Sequence, residues 1–204
     1  MKKNLFILLL AIPSWGFAQI GLKAGINFAN ITKTAALNNS NRSGYHLGIF
    51  IASPYNRIFG FDTELLYSRQ GYNYKTNTNT GNVNLDYIMF PQYMSINITK
   101  FVSVLFGGQI SYLLNAAVDS TGTTGNQAAD DILKYYKRLD FGYGGGAEIH
   151  PVTGLIIGAR FNISFGNLFS NLSDPANTNP PSFIPKVNVK NNLFQIYTGW
   201  KFGK

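Results

Sequence analysis

One pattern limits this chain more than any other. Apolar and polar residues alternate with period two in eight stretches, and the connections between them are sorted by length. The clearest case is 139–150. There Leu139, Phe141, Tyr143, Ala147 and Ile149 face one way, and Asp140, Gly142, Gly144, Gly146, Glu148 and His150 the other. In the next stretch Leu155, Ile157, Ala159, Phe161, Ile163 and Phe165 oppose Gly158, Arg160, Asn162 and Ser164. Six more repeat the alternation, with apolar phases led by Ile20, Tyr45, Phe59, Ile88, Val102 and Phe194.

A soluble sandwich alternates too, so the connections decide. They run 29–43, 54–57, 71–82, 99–100, 115–138, 151–153 and 166–191, strictly long then short. Short turns at one end and long loops at the other belong to outer-membrane barrels. Strands of ten or more residues fit a tilted membrane crossing better than a soluble domain. The expected fold is therefore all-β: an eight-stranded antiparallel transmembrane up-and-down β-barrel with short periplasmic turns and long outer loops. Lipid offers the backbone no hydrogen bonds, so the sheet must close, and eight strands close narrowly. Asp86 falls on the lipid-facing phase close to Pro91, which removes a ladder donor; this predicts headgroup depth for Asp86 or a bulge near Pro91.

Composition agrees. Charged residues make up 13% of the chain, against roughly 25% in soluble domains. Phe, Tyr and Gly are abundant, and there is no cysteine, which excludes disulfides, thiolate metal sites and thiol nucleophiles. Residues 1–18 read as a secretory signal: Lys2 and Lys3, an apolar run from Leu5 to Ile12, and Gly16-Phe17-Ala18 before Gln19. Residues 19–204 then form one barrel domain. Losing two lysines lowers the formal charge from +8 to +6.

Several motifs resemble the PorT-like outer-membrane β-barrel family of Bacteroidota. They are Gly21-x-Lys23-x-Gly25-x-Asn27, Leu65-Leu66-Tyr67-Ser68-x-Gln70-Gly71, Leu85-x-Tyr87-x-x-x-Pro91 and Gly107-x-Gln109-x-x-Tyr112-Leu113. Asp140-x-Gly142 through Gly146-x-Glu148, Ala159-Arg160-Phe161 and Trp200-Lys201-Phe202 extend the match over the mature chain. The family usually has an acid two residues before the proline, where this chain has Met89. The resemblance implies an eight-stranded barrel in a Gram-negative outer membrane and leaves function open.

The inward phase carries Lys23, Asp62, Glu64, Asp140, Glu148, Arg160 and Lys201. Charges in so narrow a lumen must pair, which predicts a salt-bridge network plugging the interior. Gly144 and Gly146 leave room for the Arg160 guanidinium, with Glu148 as its expected partner. The alternative is a proton or ion path. Trp200 and Phe202 fall at the periplasmic interface and Tyr45, Tyr67 and Tyr112 at the outer one.

Catalysis has few candidates. His46 stands near Ser68 and Asp62, and His150 shares a phase with Glu148. Gly144-Gly145-Gly146 lacks the Lys-Ser/Thr of a phosphate loop, and no spacing suits a metal or another cofactor. Among the loops, 128–137 predicts a short helix capped by Asn126. Pro175, Pro180, Pro181 and Pro185 stiffen a segment whose Phe183 and Ile184 either meet a partner or pack on their neighbours. Lys33, Arg42, Lys75, Lys134, Lys137, Arg138, Lys186 and Lys190 make the outer side basic. Membrane lipid and lipopolysaccharide phosphates are the nearest anions, so no nucleic-acid role is needed. The functional expectation is a non-enzymatic structural or interaction protein working through its outer loops. A narrow solute pore is the alternative, and a rim-sited enzyme a distant one.

Overall fold

The computed structural model describes residues 19–32, 38–55, 57–76, 80–120, 132–170, 184 and 187–202. Residues 1–18, the expected signal, lie outside them. Eight antiparallel strands follow one another around a closed barrel: β1 (Gln19–Ile31), β2 (Ser40–Ala52), β3 (Phe59–Lys75), β4 (Thr80–Thr99), β5 (Val102–Ser120), β6 (Leu139–Ile149), β7 (Leu155–Ser164) and β8 (Asn191–Lys201). Closure comes from β1 on β8, from Gly21 opposite Lys201 to Ile31 opposite Asn191. No sheet edge is left to be satisfied by lipid. No helix among the described residues is long and apolar enough to cross a membrane; the crossing elements are strands.

The apolar phase of all eight strands points outward. Leu22, Leu47, Phe61, Phe90, Phe106, Phe141, Phe161 and Phe194 are all exposed, one on each strand. In water so continuous an apolar surface would drive aggregation, whereas in hydrocarbon it is the matching solvent. The inward phase is closely packed. Glycine is needed where inner side chains crowd a wall: a Cβ on Gly146 would press on the Ala159 carbonyl and on Arg160.

Two expected long loops turn out to be partly strand. The β3–β4 hairpin continues to Lys75 opposite Thr80, and β5 runs on to Ser120. The reason lies inside the extension. Tyr72, Tyr74, Val83, Leu85, Ala116 and Val118 point inward and pack with Ile132, Tyr136, Leu168, Phe169, Ile184 and Val189 into an apolar cluster above the polar lumen. The segment expected to be helical over 128–137 is described only from Ile132. There it makes a tight turn, with Tyr135 and Tyr136 amides donating to the Ile132 and Leu133 carbonyls, and joins that cluster. Both tyrosine side chains are buried, a packing that overrides the helix-like spacing.

Pro91 lies inward without a bulge: the β3–β4 register is the same on both sides of it, although pairing is interrupted between Thr63/Gln92 and Leu66/Met89. The bulge lies instead between β4 and β5, where Asp86 pairs with Asn115 but Tyr87 with Leu113. Leu114 is the extra residue and shifts the inward phase of β5 from Leu113 to Ala116. Asp86 is outward, as its phase requires, and is held by Arg69 through bonds of 2.7 and 3.0 Å.

Candidate functional site

The lumen is the chemically distinctive region. Lys23 on β1, Glu64 on β3, Glu148 on β6 and Arg160 on β7 all project inward and are almost fully buried. Lys23 Nζ lies 2.6 Å from Glu64 Oε1 and 3.2 Å from Glu148 Oε1. Arg160 Nη1 lies 2.9 Å from Glu64 Oε2, so Glu64 bridges two cations. The expected Arg160–Glu148 pair does not form. Arg160 instead meets Glu64 and donates from Nε to Gln195 Oε1 (2.7 Å), while Glu148 accepts from Lys23 and from the Tyr197 hydroxyl (2.9 Å). The guanidinium centre sits 5.0 Å from the Tyr93 ring and 5.1 Å from the Tyr197 ring. Two positive and two negative charges thus share one buried pocket between aromatic faces.

Above this group lies an amide layer. Asn27 donates to Ser68 and the Arg69 carbonyl, and its Oδ1 accepts from Gln195 Nε2 at 2.9 Å. His46 Nδ1 meets the same Oδ1 at 2.7 Å, and its ring stands edge-on to Tyr197. His46 is therefore a lumen residue whose ring bonds an amide; Ser68 stands opposite it on β3 without a hydrogen bond to the ring. Asn162 receives the Tyr93 hydroxyl. Gln70 approaches Met89 Sδ at 3.2 Å.

The remaining predicted charges lie apart from the central four. Asp62 and Lys201 are buried toward the end that carries the chain termini; Lys201 Nζ donates to the Ser53 carbonyl (3.0 Å) and lies 3.5 Å from the Tyr55 ring centroid. Asp140 sits at the opposite end and accepts from Ser164.

The termini end is covered by a residue the sequence did not single out. Tyr55, in the β2–β3 turn, lays its ring 3.6 Å from that of His150 and packs on Phe50, Ala52, Ile156 and Tyr197. A tyrosine in a four-residue turn gives no periodic signal. His150 makes no bond to Glu148; its Nε2 meets Ser103 Oγ at 2.9 Å. The Ser103 hydroxyl is directed at Asn97 Oδ1, so its proton is committed there, and His150 Nε2 acts as donor rather than as a base. Burial lowers the His150 pKa to about 4. By contrast Asn27, Tyr93, Gln195 and Tyr197 share the inward phase of the charges, and this phase was the signal that could have found them.

The predicted interface aromatics all stand on the outer surface. Tyr45 and Tyr67 are 6.1 Å apart, Tyr112 lies two strands from Tyr67 in one hydrogen-bonded row, and Trp200 and Phe202 are exposed near the termini. Of the two loop residues, Ile184 is buried in the outer cluster and so packs on its neighbours; Phe183 lies outside the described residues. So do Lys33 and Lys186, whereas Lys75, Lys134, Lys137, Arg138 and Lys190 are exposed and Arg42 is held by Asn84 and Asn73. Among the described residues, no cluster of His, Asp and Glu has the shape of a metal site.

Solved structures share this architecture. Ail, the attachment invasion locus protein of Yersinia pestis, superposes with a TM-score of 0.52 at 15% identity, covering 91% of this chain and 99% of its own. Neisserial surface protein A gives 0.51 at 16%, with the same coverage. Ail in complex with the heparin analogue sucrose octasulfate gives 0.50 at 15%. At such identity the likeness is one of fold. No curated protein matches the sequence. The family model for the outer membrane protein beta-barrel domain matches residues 13–170, most of the chain. This chain belongs to that family, as an eight-stranded barrel of the Gram-negative outer membrane.

Proposed function

We propose that this protein is a non-conducting, non-enzymatic barrel that holds a folded platform outside the cell for binding a partner. The observation that carries the reading is the continuity of side-chain packing along the barrel axis. Tyr55 and His150 cover one end, the Lys23–Glu64–Arg160–Glu148 group fills the middle, and the cluster around Tyr72, Tyr136 and Phe169 fills the other end. The charges then serve as a plug, because each is matched by an opposite charge or an amide rather than lining a water path. Residues 1–18 act as the export signal, residues 19–204 form the barrel, and the motifs resemble those of PorT-like proteins. Tyr45, Tyr67, Tyr112, Trp200 and Phe202 anchor the two interfaces with lipid.

The exposed cations Lys134, Lys137, Arg138 and Lys190 favour a polyanionic partner at the outer face, beginning with lipopolysaccharide phosphates. That a heparin analogue was bound to the similarly folded Ail fits this chemistry. An extracellular or envelope protein is the further partner the platform suits. Planar-bilayer recording tests the first half: the native barrel is silent, and a steady single-channel conductance would reverse the assignment to a pore. Retention on immobilised heparin tests the second, with binding lost when Lys134, Lys137 and Arg138 become Gln. A native protein that flows through at low salt ends the polyanion reading.

A further inference from the structure

Among the described residues, the lipid-facing surface holds a polar row that crosses four strands. Thr63, Gln92, Gly108 and Tyr143 are successive partners across β3, β4, β5 and β6, and all lie on the outward phase. Thr63 lies four residues from Phe59 and four from Tyr67, about 13 Å of strand each way, which places it near the middle of the apolar band. Outward neighbours are apolar: Phe61, Leu65, Phe90, Met94 and Phe106.

Within the row the Thr63 hydroxyl donates to Gln92 Oε1 at 2.9 Å, which leaves the two amide hydrogens of Gln92 to be met from outside the barrel. Interruption of the β3–β4 ladder opposite Pro91 falls at the same depth. Gly108, next in the row, is exposed, and a Cβ there would meet nothing nearer than the Gly142 carbonyl at 3.6 Å. It forms a shallow notch between an amide and the exposed phenol of Tyr143. An amide facing hydrocarbon is unfavourable by several kcal/mol when unmet. Thr198, another lipid-facing hydroxyl, donates to its own wall at the Ile156 carbonyl.

We infer that the Thr63–Gln92–Gly108–Tyr143 row is the contact surface of a homodimer within the membrane. A second copy is the occupant because the groups are self-complementary. The Gln92 amide donates and the Tyr143 phenol oxygen accepts, and the two flank Gly108 one strand to either side, so a two-fold axis along the membrane normal through the notch sets each Gln92 against Tyr143 of the other copy. Gly108 lets the two walls approach closely. Isologous pairing of this kind is the commonest closed assembly.

The absence of cysteine allows a clean test. Gly108→Cys, or Phe106→Cys if the first folds poorly, is reconstituted in liposomes at low protein-to-lipid ratio and oxidised. Folding is checked by heat-modifiable gel mobility. Ile157→Cys, outward on β7 and outside the row, is the control. A cross-linked dimer is expected from Gly108→Cys and not from Ile157→Cys. Adding Gln92→Leu should lower its yield about three- to tenfold, the range of one hydrogen bond in a membrane. Equal cross-linking from both sites, none from either, or no effect of Gln92→Leu overturns the dimer. Capture of a different protein by Gly108→Cys in native membranes overturns it as well.

Discussion

Substituting Glu64 by Gln is the sharpest probe of the lumen. Glu64 lies 2.6 Å from Lys23 and 2.9 Å from Arg160, whereas Glu148 holds only Lys23 among the cations. Removing the Glu64 charge therefore leaves Arg160 without a carboxylate and the central group with one excess positive charge. Two unit charges about 4 Å apart interact by about 4 kcal/mol at an effective dielectric of about 20. Breaking a buried pair from one side typically destabilises by about 3–5 kcal/mol, so the two estimates agree. The measurement is guanidinium unfolding from lipid vesicles, followed by the fluorescence of Trp200, which faces outward near the termini. With a slope of roughly 4 kcal/mol per molar, the midpoint should fall by about 1 M. Arg160→Met alone should lose a similar amount, because it leaves two carboxylates with one lysine. The double variant restores neutrality around Lys23 and Glu148, so its loss should be smaller than the sum of the two by at least about 2 kcal/mol. Additive losses, with coupling below about 0.5 kcal/mol, would show that the charges stand side by side without acting as a unit.

Three further outcomes follow from individual contacts. Gly146→Val should sharply reduce the yield of folded barrel, read as heat-modifiable mobility, because its side chain would strike the Ala159 carbonyl and the Arg160 stem. Tyr136→Ala removes a buried ring that bonds the Tyr72 hydroxyl at 2.8 Å and packs 5.1 Å from Phe169; trypsin should then cut at Lys134 and Lys137 much faster while the barrel itself keeps its mobility. His150 is held neutral by burial, with a pKa lowered to about 4 from 6.5. The unfolded chain thus takes up its proton first, and stability contributed by His150 is complete above about pH 6.5 and lost on acidification toward pH 4. The difference between the unfolding midpoints of native protein and His150→Gln should shrink across that interval, and a constant difference would show that His150 does not titrate there.

Much of the barrel was legible because lipid makes the code simple. A strand that crosses hydrocarbon shows one apolar phase, and a one-residue slip would reverse it, so Leu139 to Ile149 or Leu155 to Ser164 admit one orientation. Which inward charges meet was not legible. Arg160 and Glu148 are diagonal neighbours on the inward phase of β7 and β6, yet Arg160 reaches over the lumen to Glu64 on β3. Partner choice across a closed barrel depends on shear and on side-chain reach, and neither is written in the alternation. Tyr55 was hidden for another reason: a turn residue has no periodic neighbour to betray its direction.

The extended hairpins show a different failure, and its cause locates the membrane. Alternation does not stop at Tyr67. It continues through Arg69, Asn73 and Lys75 on one phase and Tyr72 and Tyr74 on the other. What changes is which phase is apolar: outward as far as Tyr67, inward from Tyr72. On β4 the reversal falls between Ile88, outward, and Leu85, inward, and on β5 between Tyr112 and Ala116, where the bulge at Leu114 also shifts the phase. A strand read for one apolar phase ends at each of these points, which is why 71–82 and 115–138 read as loops. A strand that leaves hydrocarbon for water must reverse in this way, because its apolar side chains then face the protein interior instead of the solvent. Arg69 and Asp86 sit on the outward phase at the reversal, paired at 2.7 Å beside Tyr45 and Tyr67. Such a placement fits headgroup depth, where a charged pair and tyrosine rings are both accommodated. The boundary can thus be read from three adjacent strands independently, and the three agree in register: Tyr67 pairs with Ile88 and Ile88 with Tyr112.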